Sequence, residues 1–292
     1  MNERVPVPRD AANDYTADMA GRRREFIAGR TGARLDHVGQ HSIDPATCAG
    51  NIENFIGVAQ VPIGLAGPLR INGEHAQGDF YVPLATTEGT LVASYSRGMR
   101  VLTECGGVTV TVVKQAMQRA PVFMFTDARQ ARDFGRWLVT EFTAIKAAAE
   151  GTTRVGRLVE IEQYPVANLL YTRFNYTTGD AAGQNMTGKA TLAACEWIRD
   201  QHPLHPRYIL SGSIDTDKKH SALNTLRTRG RRVVAEATIR NEVLQRLMRV
   251  DTRTLFRARQ VSNAGSFMAG AAYNGPHAAN GIAALLIATG QD

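Results

Sequence analysis

Apolar residues recur at helical spacing between Asp127 and Ala149, at Phe134, Trp137, Leu138, Phe142 and Ile145, and predict an amphipathic helix there. Val122 to Phe125 reads as a short apolar strand before it. Arg157 to Gln163 and Asn168 to Tyr176 alternate as two strands after it, Ala181 to Asp200 reads as a second helix, and Tyr208 to Leu210 closes the set. That order, β-α-β-β-α-β, is the split βαβ of a ferredoxin-like sandwich. The fold class expected is therefore α+β: a ferredoxin-like small domain over residues 108–210, inserted in a larger mixed α/β domain whose two parts are 1–107 and 211–292.

Elsewhere the rhythm is shorter. Residues 12–30 look helical and carry Arg22-Arg23-Arg24, and residues 31–80 are dense in turn signals, so short strands and loops are expected. A helix is predicted from Gly89 to Thr103, with Thr86 and Thr87 as caps and Leu91, Ala93 and Met99 on its apolar face. A polar loop (Ser211 to Lys219), a helix-like stretch, a strand at Arg232 to Ile239, two charged helices and an apolar helix from His277 to Ala288 follow. When one domain interrupts another, the cleft between them is the natural ligand site.

The 292 residues are 43% hydrophobic and 21% charged, ordinary globular usage that excludes a disordered or collagen-like chain. Cys48, Cys105 and Cys195 form no C-x-x-C pair, so reduced thiols are expected and no metal site. The apolar stretch from Ala278 to Thr289 is shorter than the roughly 20 residues a spanning helix needs. Met1 to Asp10 lacks the apolar core of a signal peptide, and a soluble, cytoplasmic protein is expected. The net charge of +7 favours polyanionic partners: nucleic acid, a phosphate-bearing cofactor or coenzyme A.

No G-x-G-x-x-G follows a strand, and no P-loop, H-E-x-x-H or G-x-S-x-G is present, which disfavours a Rossmann site, a nucleotide-binding P-loop and the common hydrolases. Several local clusters remain, each with an ordinary structural explanation of its own. Glu88 in Ala85-Thr86-Thr87-Glu88-Gly89 could be an acid that complements a helix dipole, which keeps it ionised, whereas an acid catalyst needs a raised pKa. Asp215 to Lys219 could be a solvated turn, or it could present a lysine to a developing oxyanion. Gly179 to Met186 could be a helix start capped by Asp180, or a seat for a phosphate.

In their order and spacing these segments resemble the catalytic portion of the 3-hydroxy-3-methylglutaryl-coenzyme A (HMG-CoA) reductases, and the class I enzymes more closely. The resemblance runs from about Glu53 to Asp292, through Glu53-Asn54-Phe55-Ile56-Gly57, Pro62 to Leu69, Thr86 to Ser94, Gly179 to Met186, Thr216-Asp217-Lys218-Lys219, His277-Ala278-Ala279-Asn280 and Gly290-Gln291-Asp292. It implies an oxidoreductase of the mevalonate (isoprenoid) pathway that reduces HMG-CoA to mevalonate and free coenzyme A with NADPH, rather than NADH, in a four-electron reaction. It also implies a cofactor site on the ferredoxin-like domain with no Rossmann fold and no metal, and a homodimer or homotetramer with active sites between subunits.

By the same resemblance, Glu88 is the proton donor and Lys218 holds the oxyanion. Asp292 hydrogen-bonds to both and raises the pKa of Glu88. Asp180, Gly183, Gln184, Asn185 and Met186 bind the cofactor, with Thr153, Arg154 and Val155 beside them and Arg154 on the 2′-phosphate. Arg119, Ser211, Asp217, Lys219 and Asn280 hold the HMG group, and Arg97 and Arg249 meet coenzyme A phosphates.

The chain departs from the family in places. Val261 and Ser262 stand where a substrate-binding lysine is expected, with Arg259 nearby as a substitute; Ser213 replaces a frequent asparagine, and His220 a common proline. The sequence ends at Asp292, ahead of the family's segment with the histidine that protonates the coenzyme A thiolate. That leaves a truncated, non-catalytic relative that binds coenzyme A or NADPH as the alternative. The basic run Arg227-Thr228-Arg229-Gly230-Arg231-Arg232 makes a nucleic-acid-binding protein a remote third reading, with no aromatic interleaving to support it.

Overall fold

A computed structural model of the chain describes residues 4–271, 273 and 275–291. Helix α1 (Ala17–Thr31) starts at Thr16, whose hydroxyl accepts the Met19 N–H at 3.1 Å. Its basic run is partly internal. Arg23 is buried, donates to the carbonyls of Pro8, Asp14 and Phe55, and pairs with the Asp14 carboxylate. Arg24 donates to the Ile56 carbonyl at 2.6 Å. A buried guanidinium needs several acceptors, and here they are backbone carbonyls, so α1 fastens the 53–57 segment over a small core of Ala20, Cys48 and Phe55.

Strands β1 (Ile63–Gly73) and β2 (Gln77–Ala85) form an antiparallel hairpin, longer than the short strands the turn signals suggested. Helix α2 (Leu91–Glu104) packs on it, burying Leu91 and Met99 near Ala66 and Leu84. Ala93 is exposed instead, and Val92 and Tyr95 complete the apolar face. The N-cap is Thr90, without a side-chain hydrogen bond, rather than Thr86 or Thr87.

Next come β3 (Val108–Arg119), β4 (Val122–Met124), α3 (Ala128–Thr140), α4 (Phe142–Glu150), β5 (Arg157–Val166), β6 (Leu169–Thr177), α5 (Gln184–Gln201) and β7 (Arg207–Ile209). The single helix expected over 127–149 is two helices. At Glu141 ψ is 10°, outside the helical range, and the chain turns so that α4 packs on α5. The strands β7-β4-β6-β5 lie in that order, all antiparallel. Their core joins Phe123, Phe134, Leu138, Ile145, Leu158, Leu170, Phe174 and Ile198.

Strand β3 belongs to two sheets. Thr109 to Ala116 pair with β8 (Gly230–Glu236), while Met117 to Arg119 pair with β6. Between β7 and β8 lie the 211–219 loop and α6 (Ala222–Arg227). Helix α7 (Asn241–Met248) packs Val243 and Leu244 on Val101, and α8 (Thr252–Met268) buries no residue. Helix α9 (Ala278–Ala288) returns to the hairpin, where Ala284 joins Ala66 and Leu84. Cys48 and Cys195 are buried and Cys105 half-buried, all three free. Among the described residues no helix is long and apolar enough to cross a membrane.

Candidate active site

The 211–219 loop is tied down at its start, where the Gly212 N–H donates to the Ala120 carbonyl at 2.7 Å. Ser213, Thr216 and Lys218 then take positive φ of 65°, 52° and 57°. An L residue in that region costs roughly 1–2 kcal/mol, so three within six positions require support from outside the loop. Much of it converges on Asp217, whose carboxylate accepts from Gln184 Nε2 at 2.6 Å and from Arg229 at 2.8 Å. Asn224 Nδ2 adds a bond to the Thr216 carbonyl, and Lys219 Nζ donates to the Asp217 carbonyl at 3.2 Å. Partial burial opposes ionisation of Asp217, but the Gln184 hydrogen bond and the nearby Arg229 and Lys218 charges outweigh it and hold the carboxyl below its usual range. Among the described residues the exposed Lys218 ammonium has no hydrogen-bond or ion-pair partner.

Arg119 ends β3 beneath this loop, 3.9 Å from the buried Asp215, and its Nε is buried without an acceptor among the described residues. Ser211 is exposed at the loop's entry. Behind them the sheet carries a polar chain: Gln118 donates to Asn175 (2.8 Å), Asn175 to Glu162 (3.2 Å), and the fully buried Arg173 reaches Glu162, Asn224 and the Thr228 carbonyl.

Glu88 lies on the hairpin side, exposed, with its N–H donating to Thr86 Oγ1 at 2.9 Å and its carboxylate accepting from Asn280 Nδ2 at 2.7 Å. Asn280 opens α9, which is seated on α2 through His277: its Nε2 lies 3.1 Å from Ser94 Oγ, its carbonyl accepts from Tyr95 Oη at 3.2 Å, and the two rings meet edge to face. One turn further on, Ile282 and Leu286 of α9 line a cleft of about 1250 Å3 with Asp217, Lys218, Lys219, Gln184 and Arg229. The fold thus brings Lys218, Lys219, Asp217 and Gln184 together, and pairs Glu88 with Asn280 at the first turn of α9, the helix whose Ile282 and Leu286 line the same cleft. Glu88 makes no ion pair with Lys218. Asp292 lies outside the described residues.

The two predicted cofactor segments meet. A Cβ on Gly156 would stand 2.4 Å from Met186 Sδ, and one on Gly179 would stand 3.2 Å from Val155 Cγ1. Helix α5 begins at Gly183 (φ 82°), with no side chain capping it; Asp180 is exposed and is not the cap. Thr153 is half-buried and its Oγ1 accepts the Gly156 N–H at 3.1 Å, while Arg154, Val155 and Asn185 are exposed.

Arg97 lines a separate pocket of about 620 Å3 with Gly67, Pro68, Arg100 and Leu247. Arg249 is not among its lining and is the left-handed C-cap of α7; the other arginine of the lining is Arg100. Sequence reasoning also missed Arg229, which it had only as a member of a basic run. Within that run Arg229 bonds to Gln118 and Asp217, and Arg232 to the Thr225 carbonyl, so it is not a uniformly solvated face. Val261 on α8 is 60% exposed.

Residues 19–292 match the model of the hydroxymethylglutaryl-coenzyme A reductase family. The chain belongs to that family. It is 43% identical over 273 residues to the 3-hydroxy-3-methylglutaryl-coenzyme A reductase of Methanothermobacter thermautotrophicus, covering 92% of this chain and 68% of the relative. It is 42% identical over 274 residues to the enzyme of Pyrococcus horikoshii, covering 92% and 66%. The chain therefore spans about two thirds of the length of these HMG-CoA reductases. In fold it is similar to the class II HMG-CoA reductase of Streptococcus pneumoniae solved with NADPH in open conformations, with a TM-score of 0.63 and 18% identity over 97% of this chain and 75% of that one.

Proposed function

We propose that the chain carries out NADPH-dependent reduction of HMG-CoA to mevalonate and coenzyme A. Family membership sets the reaction. The observation that carries it to particular residues is the unpaired Lys218 ammonium, held at φ 57° at the wall of the large cleft beside the Gln184–Asp217 bond. A charged donor with no partner among the described residues is ready for an oxygen that gains negative charge, and its stabilisation is worth most where the donor is already in position. Lys218 holds that oxygen, Glu88 supplies a proton to it, and Asn280 orients the Glu88 carboxylate. Arg119, whose buried Nε lacks an acceptor among the described residues, takes the carboxylate end of the acyl group together with Ser211 and Lys219, with Asp217 beside them in the site for the HMG group. Arg97 and Arg100 receive coenzyme A phosphates.

Residues 108–210 act in this reading as a ferredoxin-like small domain inserted in the larger one, with no Rossmann fold. The β7-β4-β6-β5 antiparallel order supports it. The uncapped start of α5 and the glycine-spaced contact of Gly156 with Met186 fit a dinucleotide phosphate, and Arg154 is the exposed guanidinium beside it. NADPH supplies hydride when bound there. No metal takes part, and the protein works in the cytoplasm. It works as a homodimer or homotetramer, since α8 buries none of its residues and exposes Phe256, Phe267 and Met268.

The test is NADPH consumption with HMG-CoA, with released coenzyme A titrated as thiol. Two NADPH per coenzyme A are expected, with kcat lower by about 10²–10³-fold in Lys218→Ala and by about 10²-fold or more in Glu88→Gln. A folded chain that binds NADPH but turns over no HMG-CoA sinks the catalytic reading and leaves a non-catalytic binder.

A further inference from the structure

Among the described residues Lys218 has no side-chain partner, so the backbone that carries it sets where its ammonium can reach, and that backbone is in an unfavourable left-handed turn. The side chain that holds the turn is Asp217, and the group that fixes Asp217 from below is Arg229. One Arg229 nitrogen donates to the Gln118 carbonyl at 3.0 Å, the other to Asp217 Oδ1 at 2.8 Å. Gln118 is itself immobilised, 1% exposed and hydrogen-bonded to the buried Asn175. The guanidinium is thus a strut between a rigid strand end and the turn. From the other side, Gln184 ties the second Asp217 oxygen to the first residue of α5.

We propose that Arg229 is a positioning residue for Lys218, acting through Asp217. The inference rests on the reading of Lys218 as the oxyanion-holding group. A planar fork suits this task because it serves two acceptors in fixed directions at once; an ammonium in its place keeps the charge but not the two-point geometry. Misplacing a reacting group by about 1 Å can cost on the order of 10²-fold in rate, so loss of the strut is read in kcat rather than in cofactor binding.

Arg229→Gln, Arg229→Lys, Asp217→Asn and the Arg229→Gln/Asp217→Asn double variant are compared with the parent chain in two measurements: HMG-CoA turnover, and amide hydrogen exchange followed by mass spectrometry. In Arg229→Gln, exchange over residues 213–219 is expected to quicken by about tenfold while 158–174 stays unchanged. The kcat falls by roughly 30–100-fold with KM for NADPH within about threefold, Arg229→Lys lies between, and the double variant is no slower than Asp217→Asn alone. Unchanged exchange over 213–219, additive losses in the double variant, or faster exchange throughout the chain would each overturn the proposal. Should Arg229→Gln not fold, Arg229→Lys carries the same comparisons. A parent chain without HMG-CoA turnover, whose 213–219 exchange still responds to Arg229, defeats the functional reading while the strut itself stands.

Discussion

Individual side chains here are placed by what they can hydrogen-bond, and His202 shows it with a consequence for stability. Its ring is buried edge-on against Phe134 and Trp137, and its Nδ1 accepts the Leu204 N–H at 3.2 Å, which requires that nitrogen unprotonated. Burial, and then the charge of His205, lower its pKa below the ordinary 6.5. The sign follows directly. A histidine depressed in the fold contributes stability above its unfolded pKa and loses it as pH falls through 6.5 toward the folded value. Melting temperature is therefore expected to decline by a few degrees between about pH 7.5 and 5.5, and His202→Gln, whose amide oxygen can still accept from Leu204, should flatten that slope. An equal slope in the variant would refute the assignment. Glu88 and Lys218 were legible as residues because chemistry-bearing types sit in distinctive local strings. Arg229 was not. A guanidinium in a run of four arginines reads the same whether it is solvated or locked between Gln118 and Asp217, and only the β3–β8 pairing tells the two apart.

Elements are seated by a few close approaches, and α9 on α2 is the clearest. A Cβ on Gly281 would lie 2.0 Å from Tyr95 Oη and 2.3 Å from its Cζ, an overlap that only movement of α9 or of the tyrosine relieves. Gly281→Ala should cost roughly 1–3 kcal/mol by overpacking, despite alanine's better helix propensity. Because Asn280 precedes it, Gly281→Ala should also weaken the Glu88 contact. Chemical denaturation measures the first effect, and a variant as stable as the parent would contradict the packing account. The sequence pattern found α5 within a few residues because Ala190, Ala194 and Ile198 repeat on one face. It merged α3 with α4, since a break at one residue leaves the apolar period intact. It passed over β3, although Val108, Val110 and Val112 alternate with polar or exposed neighbours; half of that strand is only half-buried, and the contrast between its faces is weak.

At the scale of the whole molecule, the distribution of apolar surface is uneven. Leu158, Leu170 and Phe174 lie in a dense core, while α8 leaves Leu255, Phe256, Val261, Phe267 and Met268 in solvent. A 17-residue helix with no buried residue draws little from tertiary packing, which supplies most of the stability of helices in folded proteins. Association of chains through α8 is expected to supply the missing burial. Sedimentation should detect an oligomer in the parent chain, and Phe256→Glu with Phe267→Glu should shift it toward monomer with loss of helical signal. A parent chain that sediments as a monomer would remove this support for the oligomer.

Strand β3 carries ladder hydrogen bonds to β8 along most of its length and to β6 at its end. Two sheets that share one strand can part only by stripping it from one of them, and the ladder to β6 is the shorter, at three residue pairs. Relative motion that keeps both ladders whole is torsion about the β3 axis, with the Gly212–Ala120 tether as a second fixed point. The molecule is a stiff shaft with two vanes, and a ligand lying across both vanes senses their angle of twist rather than the gap between jaws.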